Sequence, residues 1–442
     1  MRSARWASPL VTALVAVLVL PGSAARAADP RCSTPPQVTA PIADVPWAQR
    51  SYDLESAAWP FGRGAGVTVA VLDTGVDATH PQLAGQVLPG VDVAGGTASG
   101  DYDCATHGTA LASIVAARQV PGTGFHGVAP DARVLPVRVA AQPQTAPVPD
   151  LSRGVAPAAL AAGLDAAVAA GAQVAVVGVV VHSDDPVLAG SVQRAQAAGV
   201  VVVAAVGDGH DEERDRRGPT NPALTPYPAA YDGVVGVAAV DAAGERVTGS
   251  QVGSYVDLAA PGGAVIADGV VGQLVLDGTG PAAAFVAGTA ALLLSATPSP
   301  ITATTPAERA QQVAARLVAT ASPAGTGPFA SGAGLLDPAR ALTEATTAAP
   351  PSAVAGPTPP PTDPAAEALA DQRAGTRRTA MVMAMALMGL VVVVLVAAWA
   401  VPRAARRRWR AGQERAAVPE RGDDGAEFLP GDLLFRPSTP PR

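Results

Sequence analysis

The sequence of 442 residues contains no lysine, only two cysteines and few aromatic residues, which make up 4% of the chain. All 30 basic residues are therefore arginines, and 37 acidic residues outnumber them to give a net charge of −7 at pH 7. A chain of this charge lacks the basic surface that nucleic-acid binding requires, so we expect no nucleic-acid partner. A glycine-rich phosphate loop ending in lysine is absent as well, and nothing in the sequence predicts a cofactor.

Charge of either sign is also scarce. Charged residues make up 15% of the chain and hydrophobic residues 49%. A mainly disordered chain has the opposite composition, so this sequence predicts a folded protein. Its length exceeds what one ordinary hydrophobic core organises, and we therefore expect either one large domain with appended segments or two domains.

Residues 1–27 are typical of a secretory signal peptide. Arg2 and Arg5 precede a short apolar run, and Ala25-Arg26-Ala27 provides a cleavage site of the small-x-small type. An uncleaved anchoring helix is the alternative, although the apolar run is short for crossing a bilayer. We therefore expect the domain that follows to be exported.

A second apolar run, from Ala380 to Val401, contains no charged residue and is long enough to cross a bilayer as a helix. It predicts a transmembrane helix over residues 379–402. Arginines are more numerous after this run than before it, which favours a cytoplasmic location for the tail, residues 403–442. Both apolar segments predict the same topology, a single-pass protein of the cytoplasmic membrane whose N-terminal domain is extracytoplasmic.

The two cysteines are Cys32 and Cys104. Outside the cytoplasm such a pair is oxidised, and we expect a disulfide that holds the N-terminal extension against the domain. The alternative is a metal site formed by Cys104, His107, Asp101 and Asp103. That spacing fits no structural zinc pattern, so we expect no metal.

The region between the two apolar segments divides by composition into an N-terminal extension (28–45), a domain (46–345) and a Pro-rich linker (346–378). Within the domain, apolar strand patterns alternate with helical patterns. Strands are predicted at 67–72, 134–139, 174–181, 200–205 and 234–240, and helices at 107–117, 155–169, 187–198, 282–295 and 307–319. Continuous apolar strands alternating with helices predict an α/β fold, in which helices cover both faces of a mainly parallel central sheet.

Three segments carry the residue types of a serine protease site. Asp73 follows a predicted strand in VAVLDTG, His107 opens a predicted helix in THGTALA, and a third segment beginning at Asp277 reads DGTGPAAAFVAGTAALL. With these motifs in this order, the sequence resembles the subtilisin-like serine proteases of family S8, in which Asp, His and the Ser of G-T-S-x-A-A-P form the catalytic triad. The resemblance covers about three hundred residues, and it implies the three-layer subtilisin-like fold.

The segment order adds a narrower resemblance. A signal peptide, an early cysteine, a subtilisin-like domain, a Pro-rich linker and a C-terminal apolar span together are similar to the mycosins. These are membrane-anchored proteases associated with type VII secretion in actinobacteria. The resemblance implies the membrane and the type VII secretion membrane complex as partners, and extended peptide segments as ligands of the cleft.

The nucleophile is missing from the third motif. The serine of G-T-S corresponds to Gly280, which has no side chain with which to attack a carbonyl. Loss of this serine lowers the turnover of subtilisin by about 10⁶. The following helix still has suitable residues, with Gly280 expected as its N-cap and Pro281 as its first residue.

A second departure affects the oxyanion site. Where the family has asparagine in A-x-G-N, this chain has Asp208 in VVVAAVGDGH. An ionised carboxylate repels the developing oxyanion, and loss of the amide donor alone costs roughly 10²–10³ in turnover. The cleft strand departs as well, because Val176 and Gly178 replace the polar residues of V-I-N-x-S-L.

These departures lead to two main functional hypotheses and to a third, a peptide-binding module unrelated to secretion. The first is a mycosin-like pseudoprotease of a type VII secretion system, in which Asp73 and His107 remain as a structural pair and the domain has a structural or docking role at the membrane. The second is a divergent active serine-type endopeptidase that processes secreted substrates with a substitute nucleophile, such as Thr279.

Overall fold

The computed structural model describes residues 32, 41–95, 99–140, 155–210, 224–345 and 383. The chain divides into two compact units, residues 1–356 and 357–442. The predicted signal peptide, linker, transmembrane helix and tail fall outside the described residues, except for Met383. No helix within the described ranges is long and apolar enough to cross a membrane.

The first unit is built on a seven-stranded sheet in which every pair of neighbouring strands is parallel. The strand order is β2-β3-β1-β4-β5-β6-β7. The strands are β1 (Thr68–Asp73), β2 (Val91–Asp92), β3 (Arg133–Arg138), β4 (Val174–Val177), β5 (Val201–Ala205), β6 (Val235–Val240) and β7 (Leu258–Pro261). A two-stranded antiparallel hairpin follows, formed by β8 (Val265–Asp268) and β9 (Gln273–Leu276).

Helices cover both faces of the sheet and form two hydrophobic cores with it. They are α1 (Trp47–Tyr52), α2 (Leu54–Ala57), α3 (His107–Ala116), α4 (Pro157–Ala169), α5 (Pro186–Ala197), α6 (Thr279–Ser295), α7 (Pro306–Ala319), α8 (Pro328–Ser331) and α9 (Pro338–Thr343). In β1, Val69 and Val71 contribute to the core with α3 and α6, whereas Ala70 and Leu72 contribute to the core with α4 and α5. Strand side chains alternate between faces, so a sheet buried on both sides needs this continuous apolar sequence.

The expected strand over 174–181 is shorter than predicted, because β4 ends at Val177. Beyond Gly178 the chain leaves the sheet, and Val181 pairs instead with Tyr227 through two backbone hydrogen bonds. An apolar run marks burial but does not show where sheet pairing stops, and this run remains buried beyond the sheet.

The predicted start of α6 is corrected by two residues. Its N-cap is Gly278, not Gly280, and the helix begins at Thr279. Gly278 has φ +141°, a conformation that L-residues rarely adopt. Gly280 therefore lies inside the first turn, where its Cα faces the site described below.

Candidate active site

The carboxylate of Asp73 and the imidazole of His107 form a hydrogen-bonded pair at the end of β1 and the start of α3. Asp73 Oδ1 lies 2.9 Å from His107 Nδ1 and also accepts the N–H of Thr74 at 2.8 Å. The Asp73 side chain is fully buried, and that of His107 is 17% exposed. This geometry orients the ring so that Nε2 is its free nitrogen for chemistry.

The charges around His107 favour its protonated form. Burial lowers its pKa, but the negative charge of Asp73, the hydrogen bond to Asp73, and the charges of Asp103 and Asp208 outweigh burial. The pKa is therefore raised above its usual value of 6.5. An imidazole that holds its proton more tightly is a stronger base but is less often deprotonated at neutral pH.

Asp103 organises the loop that leads to His107, a role that the sequence motifs did not identify. It is buried, and its Oδ1 accepts the hydroxyl of Thr74 at 2.9 Å and the N–H groups of Ala105 and Thr106, each at 2.9 Å. Its Oδ2 accepts both the N–H and the hydroxyl of Thr109, at 2.9 and 2.8 Å. These bonds connect the loop after β1 to the first turn of α3, so Asp103 is a positioning residue for the pair. A carboxylate shortly before a predicted helix was the only available sequence signal.

Gly280 stands where a side chain would meet the free edge of the imidazole. A Cβ atom on Gly280 would lie 3.0 Å from His107 Cε1 and 3.3 Å from Nε2. The residue is buried in the first turn of α6. The structure therefore brings position 280 to the place that a nucleophile activated by His107 would occupy, and this chain has only hydrogen there.

The neighbouring Thr279 hydroxyl is already used in another contact. Thr279 is fully buried, and its Oγ1 accepts the N–H of Gly207 at 3.0 Å. A hydroxyl directed at the backbone after β5 is not directed at His107. This bond weighs against Thr279 as a substitute nucleophile, because attack requires a tightly fixed approach.

Asp208 lies just beyond β5, beside the start of α6. Its Oδ1 accepts the N–H of Thr279 at 3.0 Å, and a Cβ atom on Gly278 would lie 2.9 Å from Oδ2. The residue keeps an exposed surface, yet the protein around it desolvates the carboxyl and raises its pKa to about 6, against the effect of the bond from Thr279. The carboxylate expected from the sequence is thus only partly protonated near pH 6, and at pH 7 it is mainly ionised.

Gly178 borders the other side of the pair. Asp73 Oδ2 is buried without a hydrogen-bond partner among the described residues. A Cβ atom on Gly178 would lie 2.2 Å from that oxygen and 2.4 Å from Leu111 Cδ2. Any side chain at position 178 therefore requires Asp73 and Leu111 to move, and the polar residue of the family pattern does not fit this arrangement.

The expected disulfide is present and is attached to the same loop. Cys32 and Cys104 are bonded, with Cα atoms 5.4 Å apart. Cys104 follows Asp103 directly, so the N-terminal extension is covalently tied three residues before His107. The bond closes a loop of 72 residues, for which chain entropy predicts a stabilisation of about 4 kcal/mol. Bonded in this way, Cys104 has no thiolate to offer a metal.

Comparisons with known proteins identify the family of this chain. The Subtilase family matches residues 64–350. Mycosin-1 of Mycobacterium tuberculosis (strain ATCC 25618 / H37Rv) is 36% identical over 339 residues, which cover 68% of this chain and 73% of that protein.

Solved structures give the same result for the fold. MycP1 with the N-terminal propeptide removed has a TM-score of 0.59 and 31% sequence identity, covering 70% of this chain and 99% of that one. The MycP3 protease from the type VII (ESX-3) secretion system has a TM-score of 0.58 and 31% identity, covering 69% and 89% of the two chains. The described domain therefore has the subtilisin-like α/β fold with a mainly parallel central sheet.

Proposed function

Because this chain belongs to the subtilase family, as a mycosin-like member, we propose that it is a subtilase homologue without peptidase activity that has a structural or docking role in a type VII secretion system. The proposed loss of activity rests on one observation, the position of residue 280 beside the imidazole of His107. A side chain there would meet the imidazole edge, and glycine provides none.

The electrostatics of Asp208 oppose the reaction independently of the nucleophile. Acyl transfer needs a neutral imidazole as base and a hydrogen-bond donor at the oxyanion. Asp208 becomes a donor only when protonated, below its pKa of about 6, where His107, with its pKa raised above 6.5, is a cation. At a pH high enough to free His107 as a base, Asp208 is an anion. This order of titration disfavours the state in which His107 is a neutral base while Asp208 is a protonated donor.

The intact Asp73–His107 pair is the observation that favours the alternative, a divergent serine-type endopeptidase. That alternative needs a hydroxyl within reach of His107 Nε2. The nearest candidate in sequence, Thr279, is bonded to Gly207. We therefore assign the pair to holding the D-T-G loop and α3 together, as buried polar pairs commonly do.

The proposed location depends on the sequence and on the relatives. MycP3 is described as a protease from the type VII (ESX-3) secretion system, and another MycP1 structure as an essential component of the type VII (ESX-1) system. The apolar run from Ala380 to Val401 supports a single membrane span, with the subtilisin-like domain outside the cytoplasm. A domain tethered in this way is suited to docking on a membrane complex.

Covalent labelling tests the proposed loss of chemistry. The purified full-length protein is treated with a fluorophosphonate probe, and adducts are detected by intact mass. We expect no adduct on the parent chain and an adduct at position 280 of the Gly280→Ser, Asp208→Asn double variant. The matched control is the same double variant with His107→Ala, which should not be labelled because the base is gone. An adduct on the parent chain would overturn the proposal, and peptide mapping would identify the substitute nucleophile.

A further inference from the structure

The segment after β4 crosses the crevice where β4 and β5 separate. The two strands are paired up to Val177 and Ala204, and Val180 and Gly207 each lie three residues further along. Ligands of parallel α/β folds bind outside the carboxyl ends of the strands. Gly178 follows β4 directly and Asp208 lies three residues beyond β5. A peptide carbonyl held between these two residues would direct its neighbouring side chain into this crevice.

The side chain of Val180 points to the face of the sheet that carries the site. Val180 belongs to the core formed with α3 and α6, whereas Val179 and Val181 belong to the core formed with α4 and α5. Alternate residues of an extended chain share a face, so Val180 lies on the same side as Gly178, which borders Asp73. His107 and Gly280 are first-turn residues of α3 and α6, the two helices on that side.

Val180 also narrows the crevice. It is 4% exposed. Its Cγ2 and Cγ1 atoms would lie 3.5 and 3.6 Å from a Cβ atom on Gly207, and Gln251 Cγ would lie 3.6 Å from the same point. A methyl-sized group on Gly207 would therefore be in ordinary van der Waals contact with both methyl groups of Val180, so the space between Val180 and the backbone after β5 is about one methyl group wide and too narrow for a larger side chain.

From this packing, we infer that Val180 narrows the side-chain pocket of the cleft, so that the domain cannot take a large apolar peptide side chain beside Asp208. Val180 is then a specificity-determining residue. The inference rests on the proposed function in that it treats the cleft as one of peptidase type. It also restricts the proposed docking role, because a partner could not insert a large apolar side chain between the segments that follow β4 and β5.

Binding of a peptide-like aromatic probe tests the inference on the full-length chain. The probe is N-acetyl-4-fluorophenylalanine amide, observed by ¹⁹F NMR line broadening. We expect Val180→Gly to bind it roughly tenfold more tightly than the parent chain, because the space for an apolar side chain is opened. Val179→Ala is the matched control, since it removes methyl groups of a buried valine on the opposite face, and it should bind like the parent. Equal binding by the parent and Val180→Gly would overturn the inference.

A reactivity ratio gives a second, independent measurement. The Gly280→Ser, Asp208→Asn variant is reacted with two reagents, and the ratio of their rates is measured. Phenylmethanesulfonyl fluoride carries an aromatic ring, and diisopropyl fluorophosphate does not. Adding Val180→Gly should raise the relative rate of the aromatic reagent by roughly tenfold. An unchanged ratio would contradict the inference. If the Gly280→Ser, Asp208→Asn variant reacts with neither reagent, the proposed function is wrong in treating the scaffold of the active site as intact. The ¹⁹F comparison between the parent and Val180→Gly then still decides the role of Val180.

Discussion

At the scale of single residues, the proposed loss of activity rests on two positions around His107. Gly280 presents hydrogen in place of a hydroxyl, and Asp208 presents a carboxylate in place of an amide. The first change removes the attacking atom. The second adds negative charge on a further side of an imidazole already bonded to Asp73, and this charge favours the imidazolium.

The charge of Asp208 should be measurable in the titration of His107. We expect Asp208→Asn to lower the pKa of His107, because a negative charge that stabilises the imidazolium is removed. The measurement is an NMR titration of the imidazole in the full-length protein.

The control for this titration is Asp165→Asn. Asp165 pairs with Arg194 between α4 and α5, on the face of the sheet opposite to α3. Its loss should leave His107 unchanged. An unchanged His107 pKa in Asp208→Asn would show that the charge of Asp208 does not contribute to the raised pKa of His107.

At the scale of elements, the hairpin of β8 and β9 holds a buried carboxyl group against α3. Asp268 is fully buried, and its N–H donates to Ser113 Oγ of α3 at 3.0 Å. Gln273 of β9 donates to Asp268 Oδ1 at 3.3 Å, and His80 Nδ1 lies 3.5 Å from Oδ2. Burial raises the pKa of Asp268 to about 7, although the bond from Gln273 opposes the shift.

This carboxyl should make stability depend on pH. The folded chain holds the Asp268 proton more tightly than the unfolded chain, so its contribution is full below about pH 4 and is lost as the pH rises through about 7. We expect Asp268→Asn to be more stable than the parent at about pH 8, by at most ~4 kcal/mol for a shift of about three units. The difference should shrink towards about pH 5.

Denaturant unfolding of both chains at the two pH values gives this difference. The control is His80→Gln, which keeps the carboxyl and removes the titrating group that faces it. The predicted pH dependence is wrong if the difference in unfolding free energy between the parent and Asp268→Asn is the same at about pH 8 as at about pH 5. That result would mean that Asp268 and His80 form a compensated ion pair.

Sequence patterns predict the long elements of this fold better than the short ones. The buried strands β1, β3, β5 and β6 and the long helices were located to within a few residues, because burial on both faces imposes continuous apolar runs. The short elements β2, α8 and α9 were not predicted, since a few residues have no measurable period. The hairpin was missed because β9 is only half-buried and gives no clear alternation.

The site divides in the same way. Asp73, His107, Gly280 and Asp208 were found because each lies in a motif of fixed local sequence. The roles of Asp103 and Val180 were not, since they arise from contacts between segments far apart in the chain. Asp103 joins loops 29 residues apart, and no local pattern marks a carboxylate that accepts several hydrogen bonds.

At the scale of the whole molecule, a docking role should not depend on the residues that catalysis would need. Gly280 is buried at the start of α6, so a partner that contacts the outer surface of the domain does not touch it. We therefore expect the full-length parent and the Gly280→Ser variant to co-purify equally with type VII membrane components from native membranes. Quantitative mass spectrometry of the detergent extracts measures this enrichment, with an unrelated single-span protein as the control. Absence of any secretion component from the parent extract would remove the support for docking.

Glycine at position 280 and aspartate at position 208 each differ from the family's residue by a small change in the codon. Every aspartate codon becomes an asparagine codon by one base change, and a glycine codon that ends in a pyrimidine becomes a serine codon by one base change. The imidazole that a serine at position 280 would need is already in place at His107. On the proposed function, point mutations alone could therefore restore the serine and the asparagine of the family pattern, without recombination or rebuilding of the fold.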